Sequence, residues 1–99
     1  MKKIRNGKLY DTDTAQLIDS YQYLGEGDTR YVYEELYRKK TGEYFLYGEG
    51  GPASCWACNE GYGYCAGEGI RPLTDEQARE WAEKHMDADE YLKYFNAEE

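Results

Sequence analysis

Residues 31–51 carry the clearest pattern in the chain. In an extended backbone Tyr31, Tyr33, Glu35 and Tyr37 fall on one face, and Val32, Glu34 and Leu36 on the other. Period-two alternation rich in aromatic and β-branched residues is a strand signature. The next run, Tyr44-Phe45-Leu46-Tyr47, is apolar on both faces and predicts a buried, central strand. Lys39-Lys40-Thr41-Gly42 joins the two, with Gly42 able to take the positive φ of a tight hairpin loop.

The flanking segments extend or cover this hairpin. Residues 1–10 read as a second hairpin, because Asn6-Gly7 suits a turn that needs φ > 0 at both central positions. Asp11-Thr12-Asp13-Thr14 is rich in turn and capping residues and leads into a helical turn or directly into a strand. Tyr21 and Tyr23 alternating with Gln22 predict a strand over residues 19–24, followed by a polar loop at Gly25-Glu26-Gly27-Asp28. Residues 48–69 hold seven of the eleven glycines and all three cysteines, with no helical or strand period. They are expected to form a long structureless loop, a feature that in a small domain signals function, bound metal or mobility.

Helical spacing takes over at residues 72–96. Thr74 followed by Gln77 is a capping box, and it predicts a helix over Asp75–His85 with Ala78, Trp81, Ala82 and His85 on one face. A second start at Asp87, with Glu90 three residues on, leads into an i, i+3, i+4, i+7 stripe of Ala88, Tyr91, Leu92 and Phe95. The expected fold is α+β: an antiparallel sheet of three to five strands with the C-terminal helices packed on one face. Trp81, Leu92 and Phe95 are expected to dock on Val32, Leu36, Phe45 or Leu46. The 99 residues form one domain, β-rich over 1–51, Gly- and Cys-rich over 52–71, and helical over 72–96.

Charge narrows the function classes. The net charge is −8, and from Asp75 onward nine acids face three bases. Such a surface repels phosphates, which argues against direct nucleic-acid binding and for a partner with a basic surface. Twelve tyrosines against two phenylalanines suit sheet surfaces that are half buried or used for binding. No apolar run of membrane-spanning length and no signal-peptide pattern is present, so a cytoplasmic protein with no membrane partner is expected.

Cys55-Trp56-Ala57-Cys58 with Cys65 is the sharpest local motif. A C-x-x-C pair on a Gly-rich loop can present two thiolates to zinc, with Cys65 and the lone histidine, His85, as further ligands. A structural site usually offers two clean ligand pairs, and here the second is split and mixed. Redox use of C-x-x-C needs a helix N-terminus, which these glycines do not provide. The plainest alternative is three reduced thiols, with Trp56 packed on the sheet and no cofactor bound. His85 has no nucleophile partner, nothing pairs the carboxylates across a cleft, and Gly48-Glu49-Gly50-Gly51 lacks the Lys-Ser/Thr of a phosphate loop. A binder, not an enzyme, is expected. Its candidate contacts are Glu76, Glu80, Glu83, Asp87, Asp89 and Glu90 on the helices, with Tyr31, Tyr33 and Tyr37 as a second surface.

Three stretches carry a resemblance: residues 5–15 (RNGKLYDTDTA), residues 35–51 (ELYRKKTGEYFLYGEGG), and Pro72-Leu73-Thr74 running through Ala78-Arg79-Glu80-Trp81-Ala82-Glu83 to Ala88-Asp89-Glu90-Tyr91. Together they resemble a family of small proteins from bacteriophages and mobile elements associated with anti-CRISPR activity. The resemblance leaves out roughly residues 55–66, so a zinc site there would be peculiar to this chain. It implies a phage inhibitor acting stoichiometrically on a CRISPR effector complex in the bacterial cytoplasm, blocking target DNA binding, with acidic surfaces that imitate DNA. A small zinc-binding or protein-interaction module acting on another host protein is the alternative.

Overall fold

The structure is a computed structural model describing residues 1–59, 61 and 63–97. It is α+β, with a four-stranded antiparallel sheet and two C-terminal helices packed against it. The N-terminal hairpin pairs β1 (Lys2–Arg5) with β2 (Lys8–Asp11). Its turn residues Asn6 and Gly7 have φ of 52° and 75°, the geometry that the Asn-Gly pair permits at low cost. The main sheet is ordered β3 (Gln16–Tyr23), β4 (Val32–Arg38), β5 (Tyr44–Gly50), β8 (Gly67–Leu73). A small hairpin, β6 (Cys58–Asn59) with β7 (Tyr64–Cys65), stands between β5 and β8. The chain ends in α1 (Asp75–His85) and α2 (Ala88–Tyr94).

The central hairpin forms as its alternation requires. Leu36 lies opposite Leu46, and Tyr37 opposite Phe45. β5 is central, flanked by β4 and β8, and Tyr44, Phe45 and Leu46 are all buried. The sheet therefore has two apolar faces. On the helix side Ile18, Leu36, Tyr44, Leu46 and Trp56 pack with Ala78, Trp81, Ala82, Met86 and Phe95. On the other side Tyr10 from the N-terminal hairpin closes over Phe45, Tyr37 and Ile70, with the Tyr10 ring edge-on to Phe45 at 5.4 Å.

Four expectations need correction. The strand predicted over 19–24 begins earlier, at Gln16, because a register shift between Leu17 and Asp19 lets Ile18 join the helix-side core. Residues 48–69 are not one structureless loop: the segment completes β5, forms the β6–β7 hairpin and enters β8. Phe45 faces away from the helices, as its place opposite Pro72 and beside Tyr37 requires. Leu92 does not dock; it is 57% exposed, and α2 reaches the core through Phe95, with Tyr91 and Tyr94 partly buried against it.

Both helices start on side-chain caps. Thr74 Oγ1 accepts from Gln77 N while Gln77 Oε1 accepts from Thr74 N, and Asp87 Oδ1 accepts from Glu90 N. Beneath α1 lies Glu34, only 7% exposed. Its two oxygens accept the indole N–H groups of Trp56 at 2.8 Å and Trp81 at 2.9 Å. A buried carboxylate is tolerated when it is hydrogen-bonded. Trp56 reaches it by folding back over Gly48, where any Cβ would collide with the indole ring.

Candidate binding surface

The helix-free side of the sheet gathers a set of tyrosines and carboxylates. The register places Glu35 opposite Tyr47, Tyr33 opposite Glu49, and Glu49 opposite Glu68. Tyr33 donates to Glu35 Oε2 at 2.8 Å and Tyr37 to Glu35 Oε1 at 3.0 Å. Tyr31 donates to Glu49 Oε1 at 2.9 Å. The Tyr47 hydroxyl lies between two acids, 2.9 Å from Glu49 Oε2 and 2.8 Å from Glu68 Oε2. Each carboxylate is thus oriented by phenol hydroxyls, and among the described residues none of the three has an ion-pair partner.

Electrostatics follow from this arrangement. Burial and the bond to Glu49 push the Tyr31 hydroxyl up to about 12. Burial, followed by the carboxylates they donate to, also raises Tyr33, Tyr37 and Tyr47. All four hydroxyls therefore stay protonated at neutral pH and act as donors. Glu49 and Glu68 are like charges directly across neighbouring strands, an arrangement that costs stability without a bridging group. A guanidinium or ammonium placed over them would meet oriented acceptor oxygens.

The expected contact residues divide. Glu76, Glu80, Glu83 and Asp89 are exposed on the helices, and no ion pair engages them among the described residues. Asp87 is occupied as the α2 cap, and Glu90 binds Lys93 at 2.8 Å. Glu98 and Glu99, part of the C-terminal acidic count, lie outside the described residues. Of the tyrosines, Tyr33 is half-buried on the open face, whereas Tyr31 and Tyr37 are buried, Tyr37 beneath the N-terminal hairpin. Tyr31 and Tyr37 orient acids and offer little area of their own. The sequence reading omitted Tyr47, Glu35, Glu49 and Glu68. Glu35 and Glu49 follow from the two-residue period of β4 and β5, but Glu68 needed β8 to be recognised.

The proposed zinc ligands are not assembled. Cys58 and Cys65 face each other across β6–β7, but among the described residues no group of three or more His, Cys, Asp or Glu side chains is placed to hold a metal. The His85 ring is stacked on Tyr21 at 3.7 Å and meets the edge of Trp81 at 5.0 Å. Burial chiefly lowers its pKa, with Lys84 adding and Glu34 opposing. No described helix is long and apolar enough to cross a membrane. No protein-family model, curated protein or solved structure matches the chain.

Proposed function

We propose that this chain is a stoichiometric binding protein that presents fixed carboxylates to a lysine- and arginine-rich protein surface. The observation that carries this reading is the row Glu35, Glu49 and Glu68, oriented by tyrosine hydroxyls on the face the helices leave open. Preorganised acceptors cost less to order on binding than flexible ones, and clustered acids steer encounter with a cationic partner. The exposed acids Glu76, Glu80, Glu83 and Asp89 add a second anionic surface. Together with the resemblance of residues 5–15, 35–51 and much of 72–91 to phage proteins, this supports an inhibitor of a CRISPR effector complex. Such an inhibitor occupies a groove that otherwise takes DNA, in the cytoplasm of the bacterial host, and performs no catalysis itself.

Co-purification of the tagged chain with candidate effector complexes tests the proposal, followed by a DNA-binding assay on any complex that retains it. Retention with loss of DNA binding is the expected result. Glu35→Gln/Glu49→Gln/Glu68→Gln and Glu80→Lys/Glu83→Lys/Asp89→Lys, which leaves the Asp87 cap in place, assign the contact to the sheet or to the helices. Retention unchanged by both triple variants overturns the acidic-surface reading. No retention by any complex overturns the effector assignment.

A further inference from the structure

The net charge of −8 is a sum over a strongly segregated molecule. Seven of the twelve lysines and arginines lie on the N-terminal hairpin and the β4–β5 junction: Lys2, Lys3, Arg5, Lys8, Arg38, Lys39 and Lys40. Contacts bring these segments together. Lys8 Nζ is 3.1 Å from Glu43 Oε2, and Lys39 Nζ sits 4.2 Å above the Tyr10 ring. Between them opens a cleft of about 510 Å³, bordered by Lys8, Lys39 and Lys40, the hydroxyl residues Thr14 and Thr41, and the acids Asp11 and Glu43.

Two details of this pole point to an anionic ligand. Arg5 lies directly opposite Lys8 in the ladder, and Lys3 shares their face, so three cations crowd a two-stranded ribbon on which, among the described residues, only Lys8 is ion-paired, by Glu43. Among the described residues Lys3, Arg5 and Lys40 form no ion pair, and neither does Lys2, which lies across the ladder from Asp11. The second detail is Glu43. Its carboxylate meets Lys8 at 3.1 Å and Lys39 at 3.7 Å, and accepts from Thr41 Oγ1 at 3.2 Å. The chain's own anion thus marks where an anionic oxygen sits in this cleft.

We infer that the β1–β2 ribbon and the β4–β5 turn form a sequence-independent binding surface for a phosphodiester backbone, with Glu43 as an internal competitor for Lys8 and Lys39. The ribbon supplies exposed cations spaced along a strand pair, and the cleft supplies ammonium and hydroxyl donors. The inference goes beyond the acidic sheet face and does not depend on it. It also runs against the expectation of no nucleic-acid contact drawn from net charge, because the seven cations gathered here outnumber the neighbouring acids Asp11, Asp13 and Glu43. A partner containing both protein and nucleic acid can meet both surfaces at once.

The test is fluorescence anisotropy with a short labelled single-stranded DNA and an RNA of the same sequence, at low and at physiological salt. The intact chain is expected to bind both at low salt, with a salt slope equivalent to roughly three released counterions. Equal affinity for the two assigns recognition to phosphate alone, and a preference for RNA adds a 2′-hydroxyl contact. Lys3→Gln/Arg5→Gln/Lys40→Gln removes only cations that have no ion pair, so the fold is retained, and affinity is expected to drop about tenfold. Glu43→Gln is expected to raise affinity about threefold and steepen the salt slope by releasing two lysines. The inference is overturned if neither probe binds at low salt, if the triple variant binds as well as the parent, or if Glu43→Gln binds more weakly. It is also overturned if the triple variant only abolishes self-association seen by sedimentation, which would give the pole to the acidic helices of a second copy.

Discussion

The Trp81 indole on α1 donates to Glu34 Oε1 on β4 at 2.9 Å, so a buried polar bond fixes the helix layer to the sheet. The other oxygen of Glu34 takes the Trp56 indole. Trp81→Phe keeps an aromatic ring but leaves half of a buried carboxylate unpartnered, and it is expected to cost about 1–3 kcal/mol in urea unfolding. Trp56→Phe is expected to cost a similar amount. Because both bonds end on one carboxylate, the double variant should depart from additivity. Strict additivity would show that the two indoles act independently.

Gly48 lies against the face of the Trp56 indole with no room for a methyl group. Gly48→Ala must push that ring off the sheet and away from Glu34. A loss above about 2 kcal/mol is expected, together with a red shift of tryptophan emission as Trp56 meets water. Unchanged emission would mean that the backbone yields instead of the ring.

Tyr47 holds its hydroxyl between Glu49 and Glu68. Tyr47→Phe leaves two carboxylates opposed across β5 and β8 with nothing between them. The expected destabilisation is about 1 kcal/mol at low ionic strength, shrinking as salt screens the repulsion. A loss independent of salt would assign the effect to packing.

Two aromatic sites give opposite pH dependences. His85 is held below its ordinary pKa, chiefly by burial between Tyr21 and Trp81. The cleft it borders also contains Glu34, Arg71, Glu80 and Lys84. A depressed histidine is protonated first in the unfolded chain, so stability is full above the ordinary histidine value of 6.5 and falls as the pH drops through the folded pKa. The stability difference between the parent and His85→Gln should narrow on acidification. Tyr31, raised from 10.0 to about 12, acts at the other end. Its contribution is complete below pH 10 and is lost as the pH climbs through 12. Absorbance titration of the phenolate, compared between the parent and Tyr31→Phe, measures it.

What the sequence disclosed was set by how local each element's cause is. The β4–β5 hairpin was legible from its own two-residue period, and α1 from its capping box and apolar stripe. The strand β8 was not. Gly67-Glu68-Gly69-Ile70-Arg71-Pro72-Leu73 combines two glycines and a proline, all poor strand residues, and it is extended because it pairs with β5 along its length, as an edge strand that tolerates Pro72. Glu68 was lost from the binding face with it. Leu92 was misplaced because helical spacing alone cannot tell a short terminal helix's docked face from its exposed one. Ile18 reaches the core only through a register shift that no local pattern announces.

The excursion from β5 to β8 leaves and returns at paired positions, Gly50 beside Gly67. Trp56 is fastened near its start and the β6–β7 hairpin lies beyond. Because the two ends are held side by side by the ladder, the closure cost rises only logarithmically with the number of residues between them. The outer hairpin can therefore be shortened, lengthened or exchanged while the sheet, Trp56 and both charged surfaces keep their places. It is the natural point for grafting a foreign sequence.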